Sequence, residues 1–537
     1  MITRINGARV WTGIARPDGS ILESDCIAFD EGGVLALGDS ARQLPAQVEV
    51  DGQGAFVCSA FRDGHVHSIF GGLEPTLAPV RAHSSSEEIA AAVGKWAAAH
   101  PEVEWVRGEG FDHTLAPEGV FHASWLDAYV PDRPVVLRAT DYHTVWVNSE
   151  ALRRVGYTKD TPEPHDGEIV RDAEGTPIGT LREWGAWRPV YDRLPPLSRE
   201  QAVAALSRAS DAYVSAGLAW VQDAWVEPAD VDSWLAAAHE GVLAFRADLA
   251  LWCDPNSWRD QLDHFVAARE RVAHQAAGRL TATTIKFFAD GVLESTTSAL
   301  LEPYCDCPHS KGLPNWQPDE LAAAVAAVDS LGFSPHIHAI GDAAIRMALD
   351  AIEHANAHNG ARDRRATIAH TQLVDAADLG RFAELGVIAN FEPYWAKFDA
   401  WQTELTVPRL GPQRIDRQFM MQSILGTGAV ISFGSDWPVT TYAPLEGIQV
   451  AVTRQMTEGD NLDPWMPEER LTVEQSLAAY TKGVAYQSGD DSAGVLRPGA
   501  RSDVVILAQD PRDVDPLRIG SITVLGTWCE GVQVFGS

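Results

Sequence analysis

The stretch "CSAFRDGHVHSIFGG" (Cys58–Gly72) decides how the rest of the chain is read. An apolar run, Ala55-Phe56-Val57, leads into it and reads as a strand. Beyond it stand two histidines one residue apart, His65 and His67. Alternate residues of a strand face one side, so the two imidazoles address one centre. The pair alone is a weak signal. With 17 His in 537 residues, chance yields roughly half a His-x-His pair. It gains meaning only if other ligand-type residues stand where a fold would bring them to the same place.

Working outward, strand-like runs alternate with Ala-rich helical segments. "SSEEIAAAVGKWAAAH" opens on Ser with early Glu, and "DELAAAVAAVDSLG" has an Asp start and a Gly stop. "REQAVAALSRASDAYVSAG" and "DAAIRMALDAIEHANAHNG" also end on Gly. Short apolar strands between such helices predict a parallel α/β fold. The candidate strands are 55–62, 135–139, 218–222, 245–251, 283–288, 333–338, 366–370, 387–391 and 429–433. That is one more than a (β/α)8 barrel uses. The 135–139 run is the one to set aside, because it lies in a Trp-, Pro- and Gly-rich region, 73–190, without the strand–helix rhythm. We expect that region to be an insertion, or lid, after the first barrel strand. Residues 1–54 and 485–537 instead read as short alternating strands with Gly turns. They predict a small composite β-sandwich built from both termini, with a TIM barrel over 55–484 between them.

Composition bounds the function. The formal net charge is −32, against the basic footprint that nucleic acid or an anionic membrane surface requires. No apolar run reaches the about 18 residues of a spanning helix, and the N-terminus shows no signal-peptide pattern. Six Cys are sparse and fit a reducing, cytoplasmic compartment. "CDCPH" (Cys305, Cys307, His309) reads as a Pro-containing loop with free thiols, since no second Cys pair completes a tetrahedral site.

Barrel enzymes carry their chemistry at the C-terminal ends of the strands. The first strand here leads to His65 and His67. The 283–288 strand carries Lys286, the next ends in "PHIHAIGD" with His336 and His338, then comes "ATIAHTQ" with His370, and the last leads to "SFGSDWP" with Asp436. Imidazole and carboxylate suit a borderline divalent metal such as zinc. His65 and His67 fit one ion, and His338 and His370 a second. Of His336 and His338, the latter is nearer the strand end. Asp436 can touch metal and take a proton from water. Lys286 is the misfit, since an ammonium repels metal.

With these stretches in view, the sequence resembles the metal-dependent amidohydrolase superfamily, in particular its N-substituted formamide deformylase-like branch (amidohydrolase family 3). "FRDGHVHS", "DYHTVWVNSEAL", "IKFFADGVLESTTSALLEPY", "HAIGDAAI", "IAHTQLV", "FGSDWPV" and "GVLRPGARSDVVIL" carry the resemblance over almost the whole chain. It implies His65 and His67 on one metal, His338 and His370 on another, and Lys286 as an N6-carboxylysine bridging them. It also implies Asp436 as the catalytic aspartate, and His143 and Trp146 brought from the insertion to the substrate. Two departures stand out: Ser59-Ala60 replaces the usual Pro-Gly, and Arg62 replaces an apolar residue.

The expected function is hydrolysis of an amide-type C–N bond in a small, hydrophobic or aromatic N-substituted amide, with one or two divalent ions. The same ligand set would serve a cyclic amide, a carbamate or a lactone. A non-catalytic scaffold on a decayed barrel would be expected to lack at least one ligand. The expected partner is a small molecule, with a homodimer as the candidate assembly.

Overall fold

A computed structural model describes residues 1–276, 278–457 and 462–536. The chain begins with β1 (Thr3–Ala15), β2 (Ile21–Asp30), β3 (Gly33–Leu37), β4 (Val48–Asp51) and β5 (Phe56–Ser59), and then enters the barrel at β6 (Phe61–Val66). The single strand expected over 55–62 therefore divides at Ala60. β5 pairs with β1, whereas Phe61 opens the first barrel strand by donating its N–H to Gly217 O at 2.9 Å, a distance typical of a ladder bond. Both sequence departures lie at this crossing. Ala60, fully buried, donates its N–H to Asp503 O. Arg62, also buried, stacks on Trp220 with 4.6 Å to the ring centroid and donates to Ser488 Oγ at 2.8 Å. Beside it Arg246 pairs with Asp503, so a charged network joins the barrel floor to the C-terminal segment.

Between β6 and the second barrel strand the chain builds a separate sheet from β7 (Val106–Phe111), β8 (Val135–Ala139), β9 (Thr144–Val147), β10 (Glu168–Arg171) and β11 (Pro177–Arg182), in the order β10-β11-β9-β8-β7. The helix Ser86–Ala99, whose Ser85 cap accepts the Glu88 N–H, belongs to this region. Its Ile89 and Val93 pack with Phe111, Leu137 and Trp146.

The barrel resumes with β12 (Leu218–Val226), β13 (Arg246–Trp252), β14 (Leu280–Phe288), β15 (Ser334–Ala339), β16 (Thr367–His370), β17 (Ile388–Phe391) and β18 (Ile431–Phe433). With β6 these form eight consecutive parallel strands. The last seven are separated by helical segments, among them Trp258–Gln275, Pro318–Ser330 and Asp342–Asn359. The helix Arg199–Ser215 precedes β12 behind a capping box formed by Ser198 and Gln201. Strands covered on both faces read as nearly continuous apolar runs, which is why "ATIAH" and "VIANF" are legible.

β6 and β18 do not share a ladder. The seam between them is closed by Asp436 N–H donating to His65 O and His67 N–H donating to Trp437 O, each at 2.8 Å. Asp63 Oδ1 accepts the N–H groups of His65 and Ser435, both at 3.0 Å. Gly434 permits this approach, because a Cβ there would stand 2.7 Å from His65 Cβ.

After the barrel, β19 (Val504–Leu507), β20 (Val524–Cys529) and β21 (Val532–Gly536) return to the N-terminal strands. Hydrogen bonding joins them into one eight-stranded sheet, ordered β21-β20-β19-β5-β1-β2-β3, with β4 on β1. Its core includes Ile5, Val10, Phe29, Val57, Val504 and Trp528. No helix among the described residues is long and apolar enough to cross a membrane.

Candidate active site

The seam is one half of the site. His65 and His67 are both buried, and Asp436 Oδ1 lies 3.6 Å from His65 Nε2 and 3.0 Å from His67 Nε2. One ligand atom from each residue lies within 4.8 Å of the others. Asp436 Oδ1 is buried yet has no hydrogen-bond partner. A buried carboxylate oxygen left unpaired is costly, whereas a cation among these three atoms would satisfy all of them. The residues present therefore fit a divalent metal. Asp436 has φ +52° and His370 φ +71°, left-handed backbone for two non-glycine residues at the centre of the site.

The other half comes from β14, β15 and β16. The ladder sets Lys286 level with His336 and Phe288 level with His338. His338 thus stands one pleat nearer the mouth, while His336 turns its Nε2 to His65 Nδ1 at 3.0 Å. The His338 and His370 ring centroids are 4.4 Å apart, and His370 lies 4.7 Å from His65. His338 Nε2 donates to Gly291 O at 3.2 Å, and His370 Nδ1 donates to Glu392 Oε2 at 2.9 Å. These bonds fix both rings and leave one nitrogen of each free to act as a ligand. Burial, reinforced by Lys286 for His65 and by His370 for His338, holds both imidazoles well below their ordinary range, and burial takes His370 down to about 3. All three are neutral, as metal ligands must be.

Lys286 is fully buried with its Nζ 3.3 Å from His65 Nε2. Burial pushes its ammonium down to about 7 against the pull of Asp436, Glu392 and Asp223. Asp436 is held below the usual carboxylate range. Burial opposes this, but His67, His370 and Lys286 outweigh it.

The insertion supplies His143. Asp141 Oδ1 accepts its backbone N–H at 3.0 Å, and its Nδ1 donates to Glu183 Oε2 at 2.8 Å. Its ring lies 5.3 Å from that of His338. Burial works against the imidazolium, yet Glu183, Asp141 and Asp436 raise it to about 9. Trp146 is a correction. It is fully buried in the insertion's own core, with ring centroids 5.0 Å from Phe121 and 5.9 Å from Phe111, and its indole N–H donates to His122 O. His143 lies in the turn before β9, whereas Trp146 lies within the strand and is taken into the packing of that sheet. It lines neither cavity at the site.

Two cavities meet at His143, His338, His370 and Asp436. One is walled by Trp184, Trp187, Trp225, Trp252 and Phe288. The other is lined by Tyr394, Trp395 and Trp401 together with Glu294 and Asp399. Three acids of the site gave no sequence signal that was used: Glu183, Glu392 and Asp290, whose Oδ1 lies 3.7 Å from His338 Nε2. Glu392 directly follows β17 and Asp290 lies two residues past β14, so the strand-end rule could have found them. Glu183 lies outside the barrel and gave no signal. Among the described residues the one three-ligand cluster is His65, His67 and Asp436; Cys305 faces Leu410 O and Arg414 rather than joining Cys307 and His309.

A parallel barrel with five ligand-type residues at its mouth, and a buried carboxylate oxygen aimed at two imidazoles, defines a metal-dependent barrel hydrolase. The amidohydrolase family matches residues 48–535, and the chain belongs to that family: it is a metal-dependent hydrolase of the amidohydrolase type, acting on carbon–nitrogen bonds. It is 30% identical over 536 residues to Protein LONG AFTER FAR-RED 3 of Arabidopsis thaliana, covering 96% of this chain and 89% of that protein. It is 27% identical over 510 residues to the N-substituted formamide deformylase of Arthrobacter pascens, covering 90% and 89%. An uncharacterized metal-dependent hydrolase from Pyrococcus horikoshii shares the fold with TM-score 0.75 at 24% identity, covering 96% and 99%. The zinc complex of atrazine chlorohydrolase TrzN from Arthrobacter aurescens shares it with TM-score 0.55 at 17% identity, covering 99% and 95%.

Proposed function

We propose that the chain hydrolyses the amide C–N bond of a small N-substituted amide whose substituent is hydrophobic or aromatic. One observation carries the reading: the tryptophan-walled cavity opens onto the point where Asp436, His143 and the imidazole ligands converge. The deformylase relative supports the bond type.

His65 and His67 with Asp436 would hold one ion, zinc by the nature of the donors, and His338 and His370 a second. Lys286 would join them as a carbamate: its neutral amine attacks carbon dioxide, an N–C bond forms and one proton is released. When bound, the metal supplies Lewis acidity and lowers the pKa of water toward about 7. The chain's own residues do the rest. Asp436, ionised and buried, accepts the proton of the attacking water and returns it to the departing nitrogen. His143, kept protonated by Glu183, donates to the carbonyl oxygen as negative charge develops there. The aromatic wall holds the substituent and excludes water.

The test is a panel assay with zinc-loaded protein: N-formyl and N-acyl arylalkylamines beside lactones, cyclic amides and carbamates. Release of free amine with the highest kcat/KM for arylalkyl amides is expected. Turnover confined to lactones or cyclic amides overturns the reading.

A further inference from the structure

Behind the aromatic wall lies a third hollow, of about 260 Å³, which the hydrolysis does not use. Trp184, Trp187 and Trp225 line both it and the active-site cavity. Arg138 of β8 reaches into this hollow. It is only 3% exposed, and its guanidinium is ringed by aromatic side chains, with centroids at 4.3 Å for Tyr191, 4.8 Å for Trp187, 5.2 Å for Tyr142 and 5.4 Å for Phe70. Its Nε has no hydrogen-bond partner.

The nearby carboxylates are already committed. Glu109, the register neighbour of Arg138, accepts from Arg107 at 3.0 Å through Oε1 and from the Tyr142 hydroxyl at 3.1 Å through Oε2. Glu227 and Asp192 pair with Arg188. Asp230 Oδ2 accepts the Glu227 N–H at 3.1 Å. Of these carboxylates Glu109 stands nearest in register to Arg138, but it pairs with Arg107 and Tyr142 rather than with Arg138. Cation–π contacts offset part of the cost of burying a guanidinium, and the Tyr191 hydroxyl accepts from it, but its Nε–H is left without a partner. Arg107, Arg138 and Arg188 line the hollow together with these carboxylates and with aromatic and proline side chains, and the planar donor fork of Arg138 matches a carboxylate.

We propose that this hollow binds a carboxylate carried on an apolar or aromatic body, with Arg138 as its anchor. The bound acid would lie against the tryptophans that form the active-site wall and against Tyr142, the neighbour of His143. It is either the acid tail of an amide substrate reaching past the tryptophans or a separate molecule.

The test is calorimetric titration of the zinc-loaded protein with phenylacetate, using phenylacetamide as the uncharged comparator. This readout does not require turnover, so it stands or falls separately from the hydrolase reading. Wild type is expected to bind the acid at least about 10-fold more tightly than the amide, the scale of one charge-assisted bidentate contact. Arg138→Met should erase that preference while zinc content stays the same. Arg138→Lys, which keeps the charge but not the fork, should weaken it several-fold and replaces the methionine variant if that fails to fold. If wild type does not distinguish acid from amide, or if the variants bind phenylacetate as tightly as wild type, the proposal is overturned. A second arm separates the two sources. A rise in KM in Arg138→Met only for amides bearing a distal carboxylate identifies a substrate tail; unchanged KM for all amides beside the calorimetric loss identifies a separate molecule.

Discussion

The barrel and the insertion both bring polar, titratable side chains to the same cavity, but by different means. In the barrel, ladder register sets the height of each residue, so Lys286, His338 and His370 follow from where strands end. In the insertion, turns set position. His143 is held by an Asp141 turn, and Glu183 stands at φ +59°, ψ +171°, a backbone region almost reserved for glycine. Glu183 reaches across to His143 and to Thr297 beyond β14. Strand register thus places the barrel residues, with left-handed backbone at His370 and Asp436, whereas His143 depends on a turn and on a glutamate held at positive φ.

The largest effect should come from the barrel. Asp436→Asn keeps the side-chain shape but removes the base. Turnover of an amide substrate should fall about 10³–10⁴-fold, while atomic-emission analysis finds zinc close to the wild-type level. Near-normal turnover would remove Asp436 from proton transfer and leave it a ligand only.

A smaller effect should come from the insertion. Glu183→Gln preserves shape but not charge. Loss of a well-aligned donor to a developing oxyanion costs roughly 10²-fold, so kcat should fall by up to that amount at pH 8. The pH profile is the sharper readout. The folded His143 pKa is raised to about 9, so the protonated form, and the stability of its pair with Glu183, is fully present below about 6.5 and lost as pH rises through about 9. The basic limb of the wild-type profile should lie near 9 and shift downward in the variant. An unmoved limb would assign that limb to another group.

The same contrast explains what could be read from sequence. Strand-end residues were legible because barrel strands are short, apolar and evenly spaced, and the chemistry follows their last residue. Arg62 was visible as an oddity, but its partners Trp220, Ser488 and Asp503 lie too far along the chain to be inferred. Val135–Ala139 could be recognised as foreign to the barrel from its surroundings, yet nothing in "DYHTVWVNS" showed where the chain turns from cavity to core. That turn falls between His143 and Trp146, three residues apart, and one faces the site while the other does not. Glu183 was invisible because a positive φ at glutamate leaves no pattern in composition or spacing.

The two tryptophans test that boundary with the smallest expected effect on catalysis. Trp184 lines the active-site cavity, with its ring 4.7 Å from Trp252 and 5.2 Å from Trp225. Trp184→Ala should lower kcat/KM for arylalkyl amides by about 10-fold relative to N-methyl amides, the value of a few buried methylene equivalents. Trp146→Ala should leave that ratio unchanged and instead destabilise the protein by about 3–5 kcal/mol, because it opens a cavity in the insertion core. Denaturant melts and substrate-ratio assays on the two variants measure both quantities. A shift in substrate preference in Trp146→Ala without loss of stability would mean that the insertion core communicates with the site through more than its turns, and the boundary between His143 and Trp146 would have to be redrawn.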